Sequence, residues 1–253
     1  MKLSNIGGGD AERITVRGYD LVGELMDKRD FVDMTCLMIS GELPTPNQRR
    51  MINLFLVTSA DHGLTPSALA TRLTLHGAPE SIQGAVAAGL LGAGSRYLGA
   101  SEHAARYFQH ALEKDAPKTW TAQALRERAE AAVSASREKG EKVPGIGHPI
   151  HVGGDPRVEK LLEVAAECGY RGVYSEFALE LAQAISRKVG RTVPINAAGI
   201  KGAIILDMGM KPELAKGLTL ISRVAGLLAH IVEEQAAPVG QQLWDMAVAA
   251  ERA

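Results

Sequence analysis

Lys142-Val143-Pro144-Gly145-Ile146-Gly147-His148-Pro149-Ile150-His151-Val152-Gly153-Gly154-Asp155-Pro156-Arg157 sets a glycine-flanked histidine a short way ahead of a helix start. Asp155 reads as an N-cap and Pro156 as the first helical residue, which puts Arg157 in the first turn. Unpaired backbone N–H groups and the helix dipole already favour negative charge there, and an added arginine suits a carboxylate. Gly145 and Gly147 allow close backbone approach and unusual dihedrals around His148, a side chain able to donate to an oxygen or exchange a proton near neutral pH. A capped helix after a loop with an incidental histidine has the same signature, so this stretch alone leaves both readings open. A metal site built from His148, His151 and Asp155 is disfavoured because Pro149 and the helix cap already explain the local geometry, and no metal is expected.

Working outward, helix signals dominate. Thr45-Pro46-Asn47-Gln48 is a capping box with proline in the first turn, Thr65-Pro66 repeats the start, and Pro212 opens another helix. Residues 121–138 carry Leu125, Ala129 and Val133 at helical spacing, with Arg126, Glu127, Arg128 and Glu130 outward. Residues 212–235 place Leu214, Leu218, Ile221, Ala225, Leu228 and Val232 on one seam, with Leu220, Val224, Leu227 and Ile231 filling the remainder, which predicts a helix buried nearly all round. Arg223 falls inside it and must meet a carboxylate, a wet cavity or an anionic ligand, because an unpaired buried charge is costly. The glycine run from Gly89 to Gly99 lacks a preceding strand and a Gly-Lys-Ser/Thr ending, so it reads as close helix packing or a hinge rather than a nucleotide loop. Strand signals are scarce, and Gly7 to Gly9 is the lone low-complexity tract.

The 253 residues can bury a sizeable core, and 46% hydrophobic with 23% charged residues is ordinary for a globular protein. Twenty-eight basic residues against 29 acidic ones leave a formal charge of -1, without the basic block that nucleic acid or an anionic membrane surface needs. Small-molecule partners are favoured. The start lacks an apolar targeting segment and the longest apolar runs are short and glycine-broken, so the expected location is cytoplasmic. Cys36 and Cys168 lack paired or metal-ligand spacing and read as buried small hydrophobes.

Four segments, in order, resemble the citrate synthase superfamily, and within it the short citryl-CoA lyases and the carboxy-terminal module of ATP-citrate lyase. They are Arg17-Gly18-Tyr19 through Gly41-Glu42-Leu43-Pro44-Thr45, Asp61-His62-Gly63 with Ser67 and Arg72, Gly145-Ile146-Gly147-His148 seven residues before Asp155, and Arg223 through His230. The resemblance implies an all-α fold and a dimer, with a large helical domain (1–97 and 205–253) and a small helical domain (98–204) closing over it. It implies that His62, His148, Arg157 and Arg223 bind the acid. CoA is expected to approach through Lys142, Gly145, Ile146 and Gly147, where glycine and proline leave backbone groups free. His148, Arg157 and Arg223 were already singled out by their placement; His62 is named by the resemblance alone.

Departures from the family pattern matter equally. Where citrate synthases carry a histidine that polarises the thioester carbonyl, the register gives Tyr97, as the lyase branch gives an aromatic; a further lyase histidine is Ala70 here. The segment that holds the family's carbon-deprotonating aspartate reads Asn196-Ala197-Ala198-Gly199, so Ala198 cannot move a proton. The arginine that citrate synthases contribute from the neighbouring subunit has no counterpart, which argues for fewer carboxylates or a different arrangement of them. The expected activity is cleavage or formation of a carbon–carbon bond between an acyl-CoA enolate and a 2-oxo acid such as oxaloacetate. The CoA thioester is then a substrate, with no permanently bound cofactor. His148 would be the base, and Tyr97, Asn196 or His76 would donate to the thioester oxygen, although packing, loop and helix-end roles for these three stay open. The competing reading is a non-catalytic CoA-ester or carboxylate-binding relative.

Overall fold

The computed structural model describes residues 3–95, 97–114, 116–147 and 153–252. Two compact units divide the chain between Leu54 and Phe55. The first opens on a three-stranded antiparallel meander, β1 (Gly7–Gly9), β2 (Ile14–Val16) and β3 (Tyr19–Asp20), in that order across the sheet. Gly7 to Gly9 is therefore an edge strand paired with β2, a local structure that low complexity hid. Arg17 and Gly18 turn the chain between β2 and β3 with positive φ, and the Arg17 guanidinium donates to the Met38 carbonyl at 2.6 and 3.2 Å. Met38 lies in α1 (Phe31–Ser40), which starts on a reciprocal Asp30–Asp33 capping box and stops at Gly41 in the left-handed region. The unit boundary falls within α2 (Pro46–Ser59), whose Thr45–Gln48 capping box forms as the sequence predicts.

Among its described residues the second unit is built on helices: α3 (Pro66–Gly77), α4 (Ile82–Leu91), α5 (Ala100–Glu113), α6 (Ala122–Glu138), α7 (Pro156–Glu167), α8 (Val173–Val189), α9 (Ala197–Asp207), α10 (Glu213–Ala236) and α11 (Gly240–Glu251). At its centre lies α9, buried at almost every position and packed by α5, α7, α8 and α10. Gly202 permits the close approach of α5, since a Cβ there would lie 2.5 Å from the Ser101 carbonyl oxygen. Phe108 of α5 meets Phe177 of α8 edge-on at 6.2 Å. Asp207, at the end of α9, accepts from the backbone N–H groups of Gly172, Tyr174 and Ser175, and so caps α8 where Gly172 has no side chain to do so.

Residues 121–138 form the amphipathic helix expected, with Leu125, Ala129 and Val133 inward. The glycine run is close packing: a Cβ at Gly89 would come within 2.7 Å of Leu227 on α10. Both cysteines are buried. The expectation for α10 needs correction. Leu218, Leu227 and Ile231 are buried, but Leu228 is 43% and Val232 66% exposed, because the inward face is drawn toward Ser222, Arg223, Gly226, His230 and Glu234. By length and composition α10 would also suffice to cross a bilayer, a length that the glycine breaks in the sequence concealed. Its buried polar face, hydrogen-bonded within the unit, is that of a core helix.

Candidate active site

A cavity of about 330 Å³ opens in the second unit, lined from α2 and the following turn by Thr58, Ser59, Asp61 and His62, and near the start of α5 by Tyr97 and Ser101. Arg157 of α7, Asn196 to Ala198 and Lys201 at the start of α9, and Thr219 and Arg223 of α10 complete it. Five of the predicted residues, His62, Tyr97, Arg157, Asn196 and Arg223, thus converge from separate elements. His148 lies outside the described residues. His76, considered for the thioester oxygen, stands at the end of α3, where its ring covers Gly240.

Each cation is held differently. Arg223 is 5% exposed and donates Nε and Nη2 to the Ser59 carbonyl at 3.2 and 3.1 Å. Burial lowers its pKa and Asp61 partly offsets that. Gly226, one turn on, lets α10 lie against the Ala60 carbonyl, which brings the arginine to that turn. Asp155 caps α7 through the Arg157 N–H and also grips the Arg157 side chain, accepting from Nε at 2.9 Å and Nη2 at 2.8 Å. Burial pushes the Asp155 carboxyl up, but Arg157 and the backbone N–H of Ala197 outweigh it and hold it well below the usual carboxylate range. Both hydrogens of Arg157 Nη1 stay undonated among the described residues, so the pair orients the arginine while leaving one edge for a ligand. Burial and then the two arginines lower the pKa of His62 and favour its neutral ring.

His230 links Asp61 to Arg72. The Arg72 guanidinium, which can only donate, lies 3.2 and 3.0 Å from His230 Nδ1, so Nδ1 accepts and the ring proton sits on Nε2. Nε2 in turn donates to Asp61 Oδ1 at 3.0 Å. Arg72 is anchored by the buried Glu234 at 3.0 Å and by Glu233.

The loop predicted to meet CoA is fastened to the start of α9. Gly147 N–H donates to the Pro194 carbonyl at 2.7 Å, Asn196 N–H to the Gly145 carbonyl at 3.0 Å, and Ile146 bridges Ile195. Asn196 staples both sides: Oδ1 accepts from Gly199 N–H at 2.9 Å as the α9 N-cap, and Nδ2 donates to the Gly147 carbonyl at 2.7 Å. Among the described residues the second Nδ2 hydrogen has no acceptor. A second cavity of about 520 Å³ is lined by apolar Val133, Val143, Ile146 and Val189 together with Arg137, Lys142, Lys188, Arg191 and Glu141. Lys142 and Ile146 line this cavity, whereas Gly145 and Gly147 serve the attachment.

Residues 44–243 match the family model described as the citrate synthase C-terminal domain. The chain belongs to the citrate synthase family. It is 26% identical to citrate synthase 2 of Bacillus subtilis, over 78% of this chain and 50% of that protein. It is 29% identical to ATP-citrate synthase beta chain protein 1 of Arabidopsis thaliana, over 74% of this chain and 31% of that one. The chain therefore spans half or less of these curated relatives. Among solved structures, citryl-CoA lyase from Hydrogenobacter thermophilus is 33% identical, with a TM-score of 0.80 covering 94% of this chain and 88% of the other. The all-α fold of this family is thus the fold found here.

Sequence reasoning missed Lys201 and Ser59. Lys201 is 6% exposed in the middle of α9, and its Nζ donates to Ser59 Oγ. Burial, then Arg157 and Arg223, lower its pKa to about 7. The signal was present, since a lone lysine in Gly199-Ile200-Lys201-Gly202-Ala203-Ile204-Ile205 poses the question that Arg223 poses in α10.

Proposed function

We propose that this protein is a carbon–carbon lyase of the citryl-CoA lyase type, cleaving or forming the bond between an acyl-CoA enolate and a 2-oxo acid such as oxaloacetate. The convergence of His62, Arg157, Arg223, Asn196 and Tyr97 on one cavity carries this reading. His62, Arg157 and Arg223 would hold the acid's carboxylates through charge-assisted hydrogen bonds, with the neutral His62 ring donating one N–H. The second cavity suits the CoA nucleotide: its cations meet phosphates and its apolar residues meet the base, and the loop Gly145–Gly147, which lines it through Ile146, is bonded to Asn196 of the acid cavity.

In the cleavage direction, a base takes the proton of the hydroxyl group, the carbon–carbon bond breaks to give the oxo acid and the thioester enolate, and the enolate carbon receives a proton. His148 is the base in this scheme, and Tyr97 or the remaining Asn196 hydrogen donates to the thioester oxygen. CoA enters and leaves as the thioester, and no resident cofactor is required. Exposed apolar side chains on the neighbouring helices α4 and α10, Leu91, Leu228 and Val232, support assembly as a homodimer.

One observation favours a second reading, a binding relative without turnover: Ala198 lines the cavity where the family places its carboxylate. Incubation with citryl-CoA, followed by mass spectrometry for acetyl-CoA and oxaloacetate, separates the two. Cleavage that falls about 10²-fold or more in His148→Ala is the expected result. Binding of CoA and acids without cleavage of any CoA ester, with His148→Ala altering affinity alone, would establish the second reading instead.

A further inference from the structure

Lys201 belongs to no role assigned above. It is buried on the face of α9 that carries Ala198 one turn earlier, and both residues line the acid cavity. From α2 it meets Ser59, whose hydroxyl accepts from Nζ, and the Phe55 ring, whose centroid is 5.8 Å from Nζ. The charged and titratable groups around it are Arg157 with its partner Asp155, Arg223, Asp61 hydrogen-bonded to His230, His62, and Tyr97 ahead of α5; from α5 itself Ser101 faces the cavity, and α8 contributes none of its lining.

Among the described residues, neither Lys201 nor Arg223 has a carboxylate ion-pair partner, unlike Arg157. A buried ammonium and a buried guanidinium that share one cavity repel each other, and their separate hydrogen bonds to Ser59 do not neutralise them. The arrangement is unfavourable when empty and becomes favourable when two negative charges enter. We propose that Lys201 supplies a third cationic contact for the carboxylates of a di- or tricarboxylic acid, and that Nζ takes up one proton from solvent as the acid binds. Burial and the neighbouring arginines favour the neutral amine in the empty cavity. An anion beside it favours the ammonium form, so binding and protonation are linked. A third cation in the cavity beside Arg157 and Arg223 selects for a polycarboxylate over a monocarboxylate. This rests on the anion-binding half of the proposed function and is independent of whether carbon–carbon cleavage occurs.

Calorimetric titration of the intact protein with oxaloacetate and with citrate, both almost fully ionised near pH 8, tests it in buffers of differing ionisation enthalpy. The expected result is uptake approaching one proton per acid near pH 8, with affinity falling about tenfold per pH unit above pH 7. Lys201→Met should abolish the uptake in that window, and Lys201→Arg should bind without it. Binding of either acid to wild type with no proton uptake between pH 7 and 9, or no binding at pH 6.5, overturns the proposal. Cleavage of citryl-CoA is scored separately by mass, so an inactive protein that binds citrate with proton uptake upholds this inference while refuting the lyase reading.

Discussion

Gly145 and Gly199 touch backbone to backbone: a Cβ on Gly145 would lie 2.5 Å from the Gly199 Cα. Gly145 also holds a φ of +80°, which glycine adopts readily. The contact seats the loop against the first turn of α9, where the Asn196 staple holds it. Gly199→Ala is therefore expected to lose about 1–3 kcal/mol through overpacking, despite alanine's better helix propensity. Gly217→Ala, inside α10 with nothing near its missing Cβ, should instead gain about 0.5–1 kcal/mol. Urea unfolding of the two variants, with CoA titration of the first, checks both signs; a neutral Gly199→Ala refutes the seating argument.

Arg72 gives a second prediction. Its guanidinium is 3% exposed and satisfies Glu234, also 3% exposed, together with His230 Nδ1. Arg72→Met would leave a buried carboxylate short of its cation and free the His230 ring to turn. A loss of about 3–5 kcal/mol is expected from breaking such a pair. Arg72→Lys should recover part of the stability without recovering the forked geometry. Equal unfolding midpoints for wild type and Arg72→Met would contradict the accounting.

Asp155 makes acid stability measurable at one residue. Its folded carboxyl titrates well below the ordinary aspartate value, so the native state favours the ionised form. That contribution is fully present above the unfolded value of about 3.9 and is lost as pH falls below it toward the folded value. Wild type should therefore lose stability steeply below about pH 4, and Asp155→Asn should show a shallower acid limb from a lower plateau. The plateau itself should drop by about 1.5–3 kcal/mol, the scale of a hydrogen bond to a charged group. Unfolding curves collected from pH 3 to pH 7 decide it, and parallel limbs would reject the assignment.

The fold and half of the site were legible because both rest on local rules. Asp155-Pro156 and Thr45-Gln48 announce their helices by capping chemistry that needs no tertiary context. Arg223 was legible because a charge in an apolar helix demands a partner. The inward face of α10 was misread because polar partners, rather than hydrophobicity, decide it: His230 and Glu234 are buried by Arg72 and Asp61, residues more than 150 positions away in the chain. The bond between Asp155 and Arg157 was hidden for the opposite reason, since two neighbours in sequence were each given a separate task. Lys201 poses the same local question as Arg223, but nothing near it in sequence names its partner, since Ser59 lies 142 positions away in the chain.

Ala198→Asp is the last test, and it bears on the chemistry. The new carboxylate would stand one turn before Lys201 on the same face of α9, within the acid cavity, where an i, i+3 ion pair can form. Added negative charge should weaken citrate binding, and pairing should hold Lys201 protonated, so the proton uptake on binding should shrink. If the site accepts an acyl-CoA with its thioester methyl beside position 198, the carboxylate should also abstract a methyl proton that alanine cannot. Exchange of the acetyl-CoA methyl hydrogens in deuterated water, followed by proton NMR, is expected to be faster in Ala198→Asp than in wild type. Acetyl-CoA that binds the variant without exchanging would place position 198 away from the reacting carbon and remove the family's acid–base geometry from this site.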